Sequence, residues 1–255
     1  MNLSGDTAIK IFFALPAFNE ERDLPKLLSA FEQQMEASGY PFQVVIVDDG
    51  STDGTLGVIR DWSSRIPIDV VQHAKNSGLG ETIQDALFRS ASLAKPDDIV
   101  VTMDADNTHS PTLIPAMDNA IQKGSDVVIA SRYRRGSRVV GLSFFRHLMS
   151  YGARFLFQIA FPIDGVRDYT CGFRAYRASL LKSAFSRFGK TVAEERGFAA
   201  MSEILLKLRT MNPKFQEVPM VLRYDIKSGD SKMHVGATVM KTLRMMRRLR
   251  SALPA

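Results

Sequence analysis

With 255 residues, 45% of them apolar and 24% charged, the chain suits one large α/β domain or two small ones and has the composition of an ordinary globular protein. A single cysteine, Cys171, excludes an intrachain disulfide and fits a reducing compartment, where it reads as a small inert side chain. The net charge of +6 is concentrated late, in Arg132, Arg134, Arg135 and Arg138 and again in Arg244, Arg247, Arg248 and Arg250, which favours anionic partners: phosphate esters, nucleic acid or an acidic membrane face.

The pattern opens with "IKIFFAL" (9–15), an apolar run that reads as a buried strand. Asn19 is placed to cap a helix from about Glu20 to Ala37 with Leu24, Leu27, Leu28 and Phe31 on one face. "FQVVIV" (42–47) predicts a second strand, and after "DDGSTDGT" comes a helix through Leu56, Ile59 and Trp62. "IDVVQ" (68–72) is a third strand, and "NSGLGET" opens a helix with Ile83, Leu87 and Ser90 inward. "DIVVTM" (98–103) and "SDVVIAS" (125–131) are the fourth and fifth strands. Apolar strands separated by helices predict a parallel sheet covered on both faces. Beyond residue 131 the alternation stops. Residues 142–162 form a long apolar helix interrupted by Arg146, His147 and Arg154. A short strand (172–177), a helix (198–211), a strand (214–224) and a closing basic helix follow. The domain reading is one body over residues 1–235 with a basic amphipathic helix over 236–255.

In parallel α/β sheets ligands bind beyond the carboxyl ends of the strands. Three predicted strand ends are loaded: "PAFNEE", "VDDGSTDGT" and "MDADNTH". Adjacent carboxylates repel unless a cation intervenes, so Asp104 and Asp106 read as a site for Mg²⁺ or Mn²⁺ and a diphosphate; the alternative is a turn in which one Asp caps a helix. Asp49 can accept ribose hydroxyls or a base N–H, while Ser51 to Gly54 also make a good turn and helix start on their own. "NSGLG" is similar to a phosphate-gripping glycine loop but lacks the P-loop spacing and its Lys-Ser/Thr pair; a glycine-rich helix entry is the alternative. Four histidines without paired spacing carry no zinc signal.

Together "PAFNEE", "VVIVDDGSTDGT", "NSGLG", "MDADNTHSP" and "ASRY", in this order, resemble the family 2 glycosyltransferases, whose fold is GT-A. "FFRHLMSYGARFLFQIAFPIDGVRDYTCGFRAYR" and "EVPMVLRYDIKSGDSKM" extend the resemblance to dolichol-phosphate mannose synthases and related polyprenyl-phosphate glycosyltransferases over most of the chain. The resemblance implies a GT-A sheet, mostly parallel with helices on both faces, plus C-terminal amphipathic helices. It implies that Pro16, Ala17, Phe18, Glu20, Val47 and Asp49 line the nucleotide pocket. Asp104 and Asp106 would hold the metal and the donor diphosphate, Ala105 between them would line the nucleotide-sugar site, and Arg132 would reach a phosphate. Arg146 and Ser150 would lie at the acceptor phosphate, Asp168 on the acceptor side, and Lys232 over the donor. Thr108 stands where those synthases usually carry Gln, and Ile226 where they tend to carry Arg.

The implied reaction is an inverting transfer from a nucleotide-diphosphate sugar, with GDP-mannose one candidate, to a polyprenyl or dolichyl phosphate. The metal and Arg132 would stabilise the leaving diphosphate. A phosphate acceptor is already largely ionised at neutral pH, so no obligatory base is expected, with Arg146 holding the acceptor in line. The alternative is transfer to a sugar hydroxyl with Asp168 or Glu194 as base. Neither a signal segment nor an apolar run of the roughly 18 residues needed to span a bilayer is read. Residues 155–163 suit shallow burial, and the last helix places Val239, Leu243, Met246 and Leu249 on one face with Lys241, Arg244, Arg247 and Arg248 around the other. The expectation is a cytoplasmic protein, peripheral on the cytoplasmic face of a membrane, with room for a membrane partner subunit. A sugar nucleotidyltransferase is disfavoured because its Gly-rich, Arg-containing loop is missing after the first strand. A phosphoacceptor signalling module would carry its acidic pair after the first strand rather than the second. The basic segments match no nucleic-acid recognition motif, so no nucleic acid partner is expected.

Overall fold

In the computed structural model, which describes residues 8–226 and 235–252, the sheet is organised around its most apolar strand. β1 (Ile11–Ala17) is buried at every position. Parallel neighbours flank it: β2 (Phe42–Asp48) on one side and β4 (Ile99–Thr102) on the other. A strand hydrogen-bonded along both edges and covered on both faces has no place for polar side chains, which is why its sequence does not alternate. β3 (Ile68–Gln72) pairs only with β2 and forms the edge, where Val70 remains 40% exposed. The full order is β3-β2-β1-β4-β7-β5-β8, with β5 (Val127–Ser131) and β8 (Phe215–Pro219) parallel to each other. β7 (Arg174–Arg177) runs antiparallel between β4 and β5. The predicted short strand is therefore the insert that joins the two halves of the sheet.

Helices α1 (Leu24–Ser38), α2 (Thr55–Trp62), α3 (Leu79–Leu93) and α4 (Ile114–Gln122) follow the first, second, third and fourth strands. α1 begins at Leu24, not Glu20. Asn19 has a left-handed φ of 53°, which Asn tolerates, and its side chain accepts the Thr52 N–H at 2.8 Å. It caps the turn after β2 instead of its own helix. α5 (Phe144–Ala160), α6 (Ala178–Phe188) and α7 (Ala199–Arg209) complete the middle of the chain. α7 is buried over nearly its whole length and supports α3 on one side and α8 (Val235–Ala252) on the other.

The single strand predicted over 214–224 is two. Pro219 is the last residue paired to β5, opposite Ser131. Having no N–H, it ends that ladder. The chain turns at the buried Met220 into β9 (Val221–Arg223), which pairs with β6 (Arg138–Val140) in a separate two-stranded sheet. The last helix also differs from its predicted face. Met245, Met246 and Leu249 are buried, whereas Val239 and Leu243 stay 38% and 43% exposed. Arg248, expected on the outer side, turns inward to Glu194, Glu195 and Glu203. Among the described residues no helix is long and apolar enough to cross a membrane.

Candidate active site

Strand register brings the loaded loops together. Ala17 lies opposite Asp48, and Ala14 opposite Thr102. The residues that follow β1, β2 and β4 therefore leave the sheet at one level. They surround a cleft of about 960 Å³. Pro16, Ala17, Phe18 and Glu20 line one side of it, Asp49 its base, and Asp104, Ala105 and Asp106 the opposite side.

The first two loops are joined to each other. Asn19 N–H donates to Ser51 Oγ at 2.9 Å, Glu20 N–H to Thr55 Oγ1 at 2.8 Å, and Gly54 N–H to Glu21 Oε2 at 2.8 Å. Asp53 closes the turn. Burial opposes its charge, but hydrogen bonds from Thr55 and Glu21 outweigh this and hold its carboxyl below the usual range. Asp48 turns inward and is fully buried, with Oδ1 accepting the Ser51 N–H. Asp49, 2% exposed, accepts the Ser77 N–H on Oδ1 at 2.8 Å and the Gly78 N–H on Oδ2 at 3.0 Å. The "NSGLG" amides thus serve Asp49, and Gly80 N–H goes to the Arg196 carbonyl at 3.1 Å. A Cβ on Gly80 would stand 1.7 Å from the Glu195 carbonyl oxygen, so the glycine admits the 195–196 backbone. Of the two readings for that loop, the helix entry is the one the geometry supports.

Asp106 is held from below. Its Oδ1 accepts from Thr108 N–H at 3.2 Å and from Thr108 Oγ1 at 2.7 Å, around a left-handed Asn107 with φ 59°. Thr108 therefore orients the carboxylate. His109, also lining the cleft, accepts the Asp104 N–H on Nδ1 at 3.3 Å, with its ring centroid 5.1 Å from that of Phe173.

Arg132 stands at the far wall on a buried carboxylate. Its Nε and Nη2 donate to Asp168 at 2.8 and 2.6 Å, its backbone N–H at 3.0 Å, and Nη2 also reaches Thr170 Oγ1. Asp168 is fully buried and further accepts the Cys171 N–H. Burial alone would raise its pKa, but the charge and hydrogen bonds of Arg132 prevail and it falls below the usual carboxylate range. Asp168 was expected to touch the acceptor side. It lies beneath the cleft with both oxygens engaged, so it orients Arg132. The same arrangement leaves it no capacity to act as a base.

Arg146 and Ser150 project from α5 into the cleft. Tyr133 fixes the second of these: its hydroxyl is in hydrogen-bond contact with both the hydroxyl and the carbonyl of Ser150. The Arg154 guanidinium lies 4.9 Å above the Tyr133 ring. Val47, expected in the nucleotide pocket, is fully buried within β2 and belongs to the core. Lys232 lies outside the described residues. Glu194, the other candidate base, stands at Lys207 and Arg248, whose charges together with the Lys207 hydrogen bond lower its pKa.

Two features were not read from the sequence. Tyr224, following β9, enters the cleft near Asp104, Asp106 and Arg132; burial chiefly pushes its hydroxyl up to about 12. An apolar trough also continues from Arg146 between α5 and α8, walled by Leu148, Leu156, Phe198, Val239 and Leu243. The periodicity of α5 held part of this signal. That a helix about 90 residues further along the chain would line the same cleft did not appear in it.

Comparison with known proteins agrees with this geometry. The family model Glycosyl transferase family 2 matches residues 13–185. A dolichol-phosphate mannosyltransferase of Pyrococcus furiosus is 33% identical over 242 residues, which is 94% of this chain and 64% of that relative, so the chain spans less than two thirds of its length. An undecaprenyl-phosphate mannosyltransferase of Micrococcus luteus is 28% identical over 89% of both chains. Among solved structures, glucosyl-3-phosphoglycerate synthase of Mycobacterium tuberculosis, in complex with Mn²⁺, UDP and glucosyl-3-phosphoglycerate, superposes with a TM-score of 0.68 at 19% identity over 98% of this chain and 82% of that one. The sheet order and these superpositions are those of the GT-A fold, and the chain belongs to glycosyl transferase family 2.

Proposed function

We propose that the protein is an inverting glycosyltransferase that moves a sugar from a nucleotide-diphosphate donor to a polyprenyl phosphate at a membrane surface. The observation that carries this reading is one continuous cleft lined by the acidic loops, by Arg132 and Arg146, and by apolar side chains of α5 and α8. That sequence of environments matches nucleotide and diphosphate, phosphate, and prenyl chain. Both named relatives are polyprenyl-phosphate mannosyltransferases, which makes GDP-mannose the first donor to try.

The donor end supports a hard divalent cation. Asp104 and Asp106 both line the cleft, Thr108 orients Asp106, and a pair of carboxylates leaves coordination positions for diphosphate oxygens and water. Asp104 and Asp106 would hold Mg²⁺ or Mn²⁺, which would supply charge stabilisation for a nucleoside diphosphate leaving group. Arg132 adds a fixed positive group, pre-oriented by Asp168 so that it need not reorganise as charge develops. Arg146 holds the acceptor phosphate. A monophosphate with a second pKa near 6 is largely dianionic at neutral pH, so it attacks the anomeric carbon without a base. One in-line displacement inverts that carbon. Leu148, Tyr151, Phe155 and Ile159 form an exposed apolar stripe on α5 beside the trough, suited to shallow burial in a bilayer and hence to peripheral contact.

The test is nucleoside diphosphate release from a panel of nucleotide sugars with Mg²⁺ or Mn²⁺, with and without a short polyprenyl phosphate. Release that depends on the lipid phosphate and disappears in Asp106→Ala supports the reading. Turnover on a soluble glycan instead, without lipid dependence, overturns it in favour of a hydroxyl acceptor.

A further inference from the structure

A histidine is held against the wall assigned to the nucleotide. His73 follows β3 directly, and its backbone N–H donates to the Asp48 carbonyl at 2.9 Å, which sets the ring beside the end of β2. Nδ1 lies 2.8 Å from Asp49 Oδ1, and Nε2 lies 3.1 Å from Asp85 Oδ2 on α3. A carboxylate only accepts. Both contacts are hydrogen bonds only when both ring nitrogens carry protons, that is, when His73 is an imidazolium. The charged groups facing the ring are Asp49 from the loop after β2 and Asp85 from α3, while Lys75 on the same loop as His73 is exposed. Among the described residues neither carboxylate has an ion-pair partner other than His73.

Asp49 Oδ1 is filled by His73 and the Ser77 N–H, whereas Oδ2 takes only the Gly78 N–H. Oδ2 keeps a lone pair in a residue that lines the cleft. We propose that His73 is a positioning residue for donor recognition: clamped between Asp49 and Asp85, it locks Asp49 so that the one remaining lone pair of Oδ2 meets a donor N–H or O–H of the nucleoside. The proposal rests on the nucleotide-sugar reading above and assigns that reading a pH response.

Burial disfavours the charged ring, but hydrogen bonds and charges of Asp49 and Asp85 outweigh it and raise the His73 pKa above its ordinary value. The clamp is therefore complete below the ordinary histidine range and is lost as pH rises through the raised value. Deprotonation points a nitrogen lone pair at a carboxylate oxygen, and the ring or Asp49 turns away. Nucleoside affinity then weakens on the alkaline side of neutrality.

The experiment is calorimetric titration of GDP and UDP with Mn²⁺ across the histidine range, about pH 6 to 9, on the wild type, His73→Gln and Asp85→Asn. Loss of one charge-assisted hydrogen bond is expected to weaken wild-type binding about tenfold across the range. His73→Gln should bind about tenfold more weakly at the acid end and lose the pH dependence specific to the wild type. Asp85→Asn keeps the Asp49 contact and should move the midpoint to lower pH. Ionisation of the nucleotide itself is common to all three proteins and cancels. Parallel profiles for wild type and His73→Gln overturn the proposal. Nitrogen-15 shifts of the His73 ring provide an independent readout: two protonated nitrogens at neutral pH support the clamp, and a single neutral tautomer overturns it whatever nucleotides do. An imidazolium in a wild type that binds no nucleoside diphosphate at any pH overturns the nucleotide reading itself, and with it the role given to His73.

Discussion

The two ends of the cleft are built in opposite ways. At the end proposed for the donor nearly every polar group is committed within the protein: Asn19, Glu21 and Asp53 lock two loops together, Asp49 takes three donors, and Thr108 fixes Asp106. Beside the end proposed for the acceptor large apolar side chains of α5 remain in solvent, with Phe155 and Ile159 each 66% exposed. The difference fits the proposed partners. A diphosphate is recognised by preorganised charge and dipoles, which must be held rigid to be effective. A prenyl chain and a bilayer offer no hydrogen bonds to match, and are gripped by surface that the protein leaves unpaired.

Substitutions that cross this division should separate the two ends. The largest effect is expected for Asp106→Ala. Removing half of the carboxylate pair should lower kcat by roughly a thousandfold or more, measured as nucleoside diphosphate release. The scaffold should remain folded by circular dichroism, because the hydrophobic core around the sheet is untouched.

Asp168→Asn tests whether Arg132 is a positioned group. It leaves a guanidinium with 14% side-chain exposure and, among the described residues, no other ion-pair partner. The expected cost is about 3 kcal/mol or more in urea unfolding, with a parallel loss of turnover. The pair also sets an acid limit. The Asp168 pKa is depressed, so its contribution to stability is complete above the ordinary carboxylate range and disappears as pH falls through the lowered value. The wild type should therefore lose stability in acid more steeply than the variant.

Arg146→Ala should act on the acceptor alone. About 2 kcal/mol of lost phosphate interaction predicts a KM for polyprenyl phosphate raised roughly thirtyfold, with nucleoside diphosphate affinity unchanged. An equal loss of nucleotide binding would place Arg146 on the donor side and remove the distinction between the ends. The smallest effect on the isolated protein is expected for Phe155→Ser with Ile159→Ser. Both side chains are already in water, so unfolding should shift by about 0.5 kcal/mol or less. Co-sedimentation with anionic vesicles should fall clearly. Unchanged vesicle binding would show that α5 is not the face that meets lipid.

Much of the donor end was legible because its information is local. Each of the first four strands is an apolar run followed within a few residues by its own turn chemistry, and parallel α/β geometry places all such turns at one edge. Asp49, Asp104 and Asp106 could be named on that basis. Asn19 shows where local reading fails: a good capping residue in front of a helix was taken up by a turn about 30 residues away. Val47 failed for a related reason, since alternate residues of a strand point to opposite faces and its neighbour Asp48 also turned inward.

The amino-acid sequence alone determined the class of this protein: apolar strands ending in carboxylates, spaced by helices, with motifs in the order of a family 2 glycosyltransferase. Tertiary structure decided which partner each charged group received. Asp168 lies 36 residues from Arg132, His73 lies 24 from Asp49, and Arg248 lies 45 from Glu203. Hydrophobic periodicity records only whether a residue faces the core, so a polar residue brought inward by a distant ion pair leaves no trace in it. Tertiary structure also brought side chains of α5 and α8 to one cleft, because a helix face that is apolar in sequence can equally be buried or left open. The local pattern carries the strands and turns, while long-range charge pairing and the distant helices that line the same cleft determine what it can hold.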